Sequence, residues 1–274
     1  MVRIVLLLIA LLWATPASAG MQFQIFAASG TVAWTPFNAT TDGGVLPSHW
    51  YRADGANFQD SAGTTPAVAD GDVIGLLTDY GSVVSGVTQA TTDNKPVLKT
   101  SVLNGHPVWR FDGTNDYLRG SFAAVAQPFT IFVVAQLDAS KIDGGDVKIV
   151  DSIDSTDRAM LYQYAQVEAD AWAVYAGTRL SGAATDANTN IWTVVFNGAS
   201  SQFWKNGISV AAGAAGAAGI TGITIGAIYD GTASYFKGDF TELAIYLGNL
   251  STTDKNQVNR YLATKYGISY TTIP

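Results

Sequence analysis

The chain has 274 residues, a formal charge of −7 and only 14% charged residues, with 28 Gly, 12 Tyr, 12 Phe, 7 Trp and no Cys. No basic stripe breaks the acidic balance. That excludes a nucleic-acid binder, whose affinity rests on Lys and Arg neutralising phosphates, and it favours neutral ligands or cation-dependent binding over acidic polymers.

The first element is an export signal. Arg3 supplies a positive start, Ile4 to Trp13 an apolar run, Thr15-Pro16 a break, and Ala17-Ser18-Ala19 the small-x-small pattern of a cleavage site. An apolar run of about ten residues is well short of the roughly 20 that a membrane-spanning helix needs. The expectation is therefore a signal peptide over residues 1–19 and a secreted mature chain from Gly20 without a membrane span. Met21, just past the cut, offers a second translation start. Without cysteine, such an exported chain relies on its core and not on disulfides. Residues 20–45 read as a lead-in with a Thr-Thr-Asp-Gly-Gly turn.

From Leu46 the chain reads as strand after strand. Asn104-Gly105-His106-Pro107 is a turn, followed by a strand over Val108 to Phe111 and a second turn cluster, Asp112-Gly113-Thr114-Asn115-Asp116. Phe129 to Leu137 is an apolar, β-branched and aromatic run short enough for a buried strand. Val147 to Val150, Met160 to Tyr164, Ala171 to Tyr175 and Ile191 to Phe196 follow at hairpin spacing. Asn206-Gly207 between Phe203-Trp204-Lys205 and Ile208-Ser209-Val210 is a hairpin signal, because both residues tolerate the positive φ of a type I′ turn. Ala211 to Gly219 repeats Ala-Ala-Gly and reads as a loop. Last comes a helix over Thr252 to Tyr266. Ser251, three residues before Asp254, caps it; Val258, Tyr261, Leu262 and Tyr266 form its apolar stripe; Gly267 stops it. Short strands at this spacing with one closing helix predict an all-β sandwich.

Several segments together resemble one family. Asn104 to Leu118, NGHPVWRFDGTNDYL, is similar to the "NG-x-P-x-x-RFDG-x-x-DYL" segment of concanavalin A-like, laminin G-like jelly rolls of bacterial surface and phage proteins. Trp50-Tyr51-Arg52-Ala53-Asp54 resembles that family's "W-x-x-A-D" opening, FTIFVVAQ from Phe129 to Gln136 its long apolar strand, and FKGDFTELAIYLGNL from Phe236 to Leu250 its last strand. The resemblance implies a two-sheet antiparallel jelly-roll sandwich over residues 46–268, with the C-terminal amphipathic helix at its end and a tail over residues 269–274. It leaves function open, since the fold hosts lectins, glycanases, lyases and structural modules.

The resemblance also frames the chemistry. Glu168-Ala169-Asp170 resembles the E-x-D start of the endo-glucanase branch, but that branch carries a further Glu where this chain has Ala173, so the acid pair that glycan hydrolysis needs is incomplete. His49 and His106 are the only histidines that a lyase chemistry could use, and they lie far apart in sequence. Calcium wants several oxygen ligands; Asp112, Asn115 and Asp116 in one turn, with Asp239 before the last strand, form the candidate set, against a turn-capping role for the first three. Related domains carry an Asp-Glu pair in the last strand, and here it is Thr241-Glu242. Tyr162, Tyr164 and Trp172 are the candidate sugar-stacking aromatics, whereas Trp192, Val194 and Phe196 read as core. The leading expectation is a secreted, non-catalytic module that binds a glycan and requires no cofactor. A structural or decoration protein of a virion or surface appendage, whose partners are neighbouring subunits, stands second, and a glycan-cleaving enzyme third.

Overall fold

The computed structural model describes residues 46–165 and 170–274. The expected signal peptide over residues 1–19, the lead-in over residues 20–45 and the Glu168-Ala169 pair lie outside the described residues. With strands numbered along the chain, one antiparallel sheet (A) has the order β15 (Ile208–Gly213), β14 (Ser201–Lys205), β13 (Thr189–Phe196), β8 (Phe129–Leu137), β17 (Lys237–Leu247), β6 (His106–Asp112), β5 (Val97–Leu103); β1 (His49–Arg52) also pairs with β17. The other sheet (B) runs β12 (Arg179–Ala184), β11 (Ala171–Tyr175), β10 (Met160–Tyr164), β9 (Val147–Asp151), β16 (Ile220–Ile225), β7 (Leu118–Val125), β4 (Val87–Thr88), β3 (Leu76–Leu77), β2 (Asn57–Phe58). The two sheets pack as a sandwich, as the strand spacing predicts.

Side chains alternate across each strand, and this sorts the core. On β8, Phe129, Ile131, Val133, Ala135 and Leu137 face sheet B, where they meet Trp172, Trp192, Phe203 and Phe240 in the main core. Phe132 and Val134 point to the other face of sheet A and form a second core with Trp50, Ala244, Tyr246, Val258, Leu262 and Tyr266. A strand buried on both faces reads as a continuous apolar run, which is why FTIFVVAQ shows no alternation.

That second core exists because the helix α1 (Thr252–Tyr266) lies on the outer face of sheet A. Its start is set by Ser251, whose Oγ accepts from the Asp254 backbone N–H at 3.1 Å, and its end by Gly267 at φ +67°. A buried carboxylate ties it to the sheet. Glu242 accepts hydrogen bonds from Trp50 Nε1 (2.6 Å), Tyr266 OH (2.6 Å) and Lys265 Nζ (2.8 Å), so β1, β17 and α1 meet at one anion. Lys265 also reaches Asp54 at 3.0 Å.

Two boundaries differ from expectation. Residues 269–274 are not a tail: Ile273 is buried against Val195 and Trp204, and the Thr271 N–H donates to Asn206 O at 2.9 Å. That segment seats directly on the hairpin turn, where Gly207 (φ +78°) has no room for a Cβ beside the Thr271 carbonyl. The Ala-Ala-Gly stretch is a loop only in part, because Ala211 to Gly213 extend β15 along β14. Ladder pairing is a backbone property and does not need side chains of any size.

Candidate ligand-binding face

The outer faces of the two sheets differ in kind. Helix α1 and the C-terminal segment close sheet A with apolar contacts, whereas sheet B carries polar and cationic side chains outward. Register builds a polar row across four of its strands. Thr88 on β4 pairs with Arg119 on β7, Arg119 with Thr224 on β16, and Thr224 with Asp151 on β9. Asp151 is fully buried and accepts from Arg158 Nη2 (2.7 Å), Arg158 Nε (3.0 Å) and the Tyr229 N–H (3.1 Å). Burial raises its carboxyl above the ordinary aspartate range, and the Arg158 guanidinium opposes the rise. The Arg158 guanidinium in turn lies 4.9 Å from the centre of the Tyr229 ring.

At the β4 end of this row the face opens into a pocket of about 440 Å³ lined by Thr88, Gln89, Tyr117, Arg119, Ser121 and Ile153, with Gly86 and Gly120 among its walls. The strands beneath it approach one another closely. A Cβ on Gly120 would stand 2.6 Å from Gly86 O, and one on Gly222, in the neighbouring strand β16, 2.4 Å from Gly120 O. Glycine inside a strand marks such close backbone approach, and the register shift on β16 between Ile220 and Gly222 lies at the same place. Hydroxyls, a guanidinium and a tyrosine around a cavity of this size suit a small, hydroxyl-rich ligand.

The other end of the face holds the candidate aromatics, and it divides them. Tyr162 pairs with Ala173, which puts Met160, Tyr162, Tyr164, Ala173 and Tyr175 together on the outer face. Trp172 pairs with Gln163, faces inward and packs on Trp192 at 4.8 Å between ring centres. It is a core residue and does not line a groove, contrary to the expectation. Tyr162 is also buried, under Lys148 Nζ at 3.9 Å from its ring centre, while the half-buried Tyr164 carries the Arg179 guanidinium at 3.8 Å. Cations already occupy a face of each ring, so a sugar would stack there only by displacing them. Burial pulls the Lys148 ammonium below the ordinary lysine range, against the attraction of Asp146 3.3 Å away.

The calcium candidates serve other ends. Asp112 Oδ1 accepts from Thr114 N–H (2.7 Å) and Asn115 N–H (3.4 Å), and Asp116 Oδ2 from Asp112 N–H (2.8 Å): all three residues shape one turn. Burial pushes the Asp116 carboxyl up to about 6, and the Asp112 charge adds to the rise. Asp239 is held in a two-bond pair with Arg110 at 2.7 and 2.8 Å. Among the described residues no three acidic or histidine side chains gather as a metal-binding group. Asp170 accepts from Gly145 N–H (3.0 Å) and Gln163 Nε2 (2.9 Å), a loop-holding role. The histidines lie in separate settings. His49 is buried, 2.7 Å from Asp79 and stacked on Phe122; His106 faces Asp54 at 3.8 Å.

The sequence alone does not mark the pocket residues Thr88, Arg119 and Ser121, and it marks Glu242 only as half of the Thr241-Glu242 pair, not as the anchor of the helix. A glycine inside a strand pattern was the available signal for the pocket; for Glu242 it was a lone acid inside an apolar strand.

No protein-family model and no curated protein matches the chain. Solved structures match its fold. A GH54 α-L-arabinofuranosidase soaked with a cyclic sulfate inhibitor superposes with a TM-score of 0.59 at 12% identity, over 85% of this chain and 66% of that one. The binding domain of botulinum neurotoxin serotype D gives 0.53 at 10% identity, over 79% and 51%. Trypanosoma rangeli sialidase in complex with the inhibitor DANA gives 0.51 at 12%, over 82% and 34%. The chain thus spans less than two thirds of each of these proteins, and at such identities the likeness is one of fold. Among the described residues no helix is long and apolar enough to cross a membrane.

Proposed function

We propose that the chain is a secreted, non-catalytic glycan-binding module of the concanavalin A-like, laminin G-like type, and that its ligand sits on the outer face of sheet B. The observation that carries this reading is the contrast between the two outer faces: one closed by a helix, the other bearing a polar, glycine-walled pocket. The fold neighbours support it in kind, since they include a glycosidase, a sialidase and a toxin binding domain. The non-catalytic part rests on how the carboxylates are used. Asp151 is committed to Arg158, Asp170 to loop backbone, and Glu242 to the helix on the opposite sheet. A glycan array probed with the full chain tests the reading, which predicts saturable binding without release of reducing ends. Product release from a polysaccharide panel would make the chain an enzyme, and an empty array would remove the glycan reading. Export from Gly20 is checked by the mass of extracellular material; an intact Met1 would contradict it.

A further inference from the structure

The pocket's cation is fixed in place without a direct ion pair among the described residues. Arg119 donates from Nε to Tyr229 O (2.9 Å) and from Nη2 to Ile153 O (2.8 Å), which occupies one edge of its guanidinium. A guanidinium has five N–H donors in a rigid fork. Three remain here, both on Nη1 and one on Nη2, and one from each nitrogen lies side by side at the end of the group. No ion pair within 4.0 Å among the described residues involves Arg119. Asp230 is the acid whose charge couples to it, and that carboxylate is held by the Thr232 hydroxyl (2.6 Å) and N–H (3.1 Å). Thr224 Oγ1 donates to the same Tyr229 carbonyl at 3.1 Å, so the anchor of Arg119 is itself tied to the sheet. Thr88 stands directly opposite Arg119 in the register, and both line the cavity with Ser121.

We propose that this pocket binds the carboxylate of an acidic sugar, a uronate or a sialate residue, end-on to the Arg119 guanidinium, with the Thr88 and Ser121 hydroxyls taking ring hydroxyls. The proposal rests on the glycan-binding reading and names its ligand class. A planar fork matches a carboxylate with two parallel hydrogen bonds, and such charge-assisted pairs are roughly twice as strong as neutral ones. The overall charge of −7, which at first sight disfavours acidic ligands, does not oppose this. At physiological ionic strength charges beyond about 8 Å are screened, so the local cation, which has no ion pair within 4.0 Å among the described residues, decides.

The test is titration calorimetry of the full chain with trigalacturonate and 3′-sialyllactose, each beside its carboxyl-reduced counterpart, and with neutral maltotriose and a sulfated heparin hexasaccharide. One carboxylated probe is expected to bind about tenfold or more tightly than its reduced form, a difference of about 1.4 kcal/mol, and Arg119→Gln should erase that difference. Because Arg119 also ties two loops, the comparison of acidic and reduced ligands on the unaltered protein decides the matter even if the variant fails to fold. Equal affinity for the two forms, a preference that survives in a folded Arg119→Gln, or tighter binding of the sulfated probe would overturn the proposal. Maltotriose binding without any carboxylate preference would sink the acidic-sugar assignment and leave the glycan reading standing. No binding to any of the six probes would count against both.

Discussion

Tyr164 carries Arg179 over its ring on the outer face of sheet B, while Trp172 packs on Trp192 inside the sandwich. Truncation should separate them. Trp172→Ala is expected to cost about 3–5 kcal/mol in urea unfolding, as large core aromatics do, and Tyr164→Ala about 1 kcal/mol, the scale of an exposed cation–π pair. Equal losses would contradict the inward register of Trp172. Asp116 gives a second test, through pH. Its folded-state carboxyl lies at about 6 because of burial, above the unfolded value of about 3.9. The native state therefore holds more protons than the unfolded state between those values, and stability falls as pH rises from about 4 to about 6. Groups with lowered values, such as Asp138, Asp154 and Asp186, act in the opposite sense, so the difference between wild type and Asp116→Asn isolates the one residue. The variant should gain relative stability across that window; a difference that is flat with pH would contradict the assignment.

At the scale of elements, helix α1 is held by a cap and by a buried anion, and the two contribute differently. Ser251→Ala should cost about 1 kcal/mol through the lost N-cap. Glu242→Gln should cost about 2 kcal/mol, the scale of lost charge-assisted hydrogen bonds from Trp50, Tyr266 and Lys265, with Asp54 still pairing Lys265. Thermal and urea unfolding of both variants checks the order, and a larger loss for Ser251→Ala would mean that the Glu242 network contributes little. The helix was legible in the sequence because its signals are local: a capping serine, a stripe at helical spacing, a stopping glycine. Strands β8, β10 and β11 were legible for a related reason, since each is a short, mostly apolar and aromatic run. What pairs with what was not. A one-residue difference in register turns a side chain to the opposite face of a sheet, and the pairing of Tyr162 with Ala173 sends Trp172 into the core. The pocket was hidden for the same reason. Gly86, Gly120 and Gly222 come together only through the pairing of distant strands, and nothing near Arg119 in sequence shows that its anchors are the carbonyls of Ile153 and Tyr229.

For the whole molecule, the sandwich leaves its two outer faces with unequal tasks. Sheet A spends its outer face on the helix and the C-terminal segment, which enlarge the buried core of a chain without disulfides. Sheet B keeps a polar face whose cations are held by rings, carboxylates and carbonyls, an arrangement that pre-orients donors for the proposed ligand and lowers the cost of ordering them. The central claim is that ligands enter at the pocket on this face. Ser121 is exposed, lines the pocket and lies on the same strand as Arg119, so a bulky side chain there fills the cavity while leaving the core untouched. The most direct measurement is glycan-array binding by the full chain and by Ser121→Trp, with thermal unfolding of both proteins. Loss of the glycan signal at an unchanged melting temperature is the predicted result; an unchanged binding profile in the folded Ser121→Trp protein would contradict it.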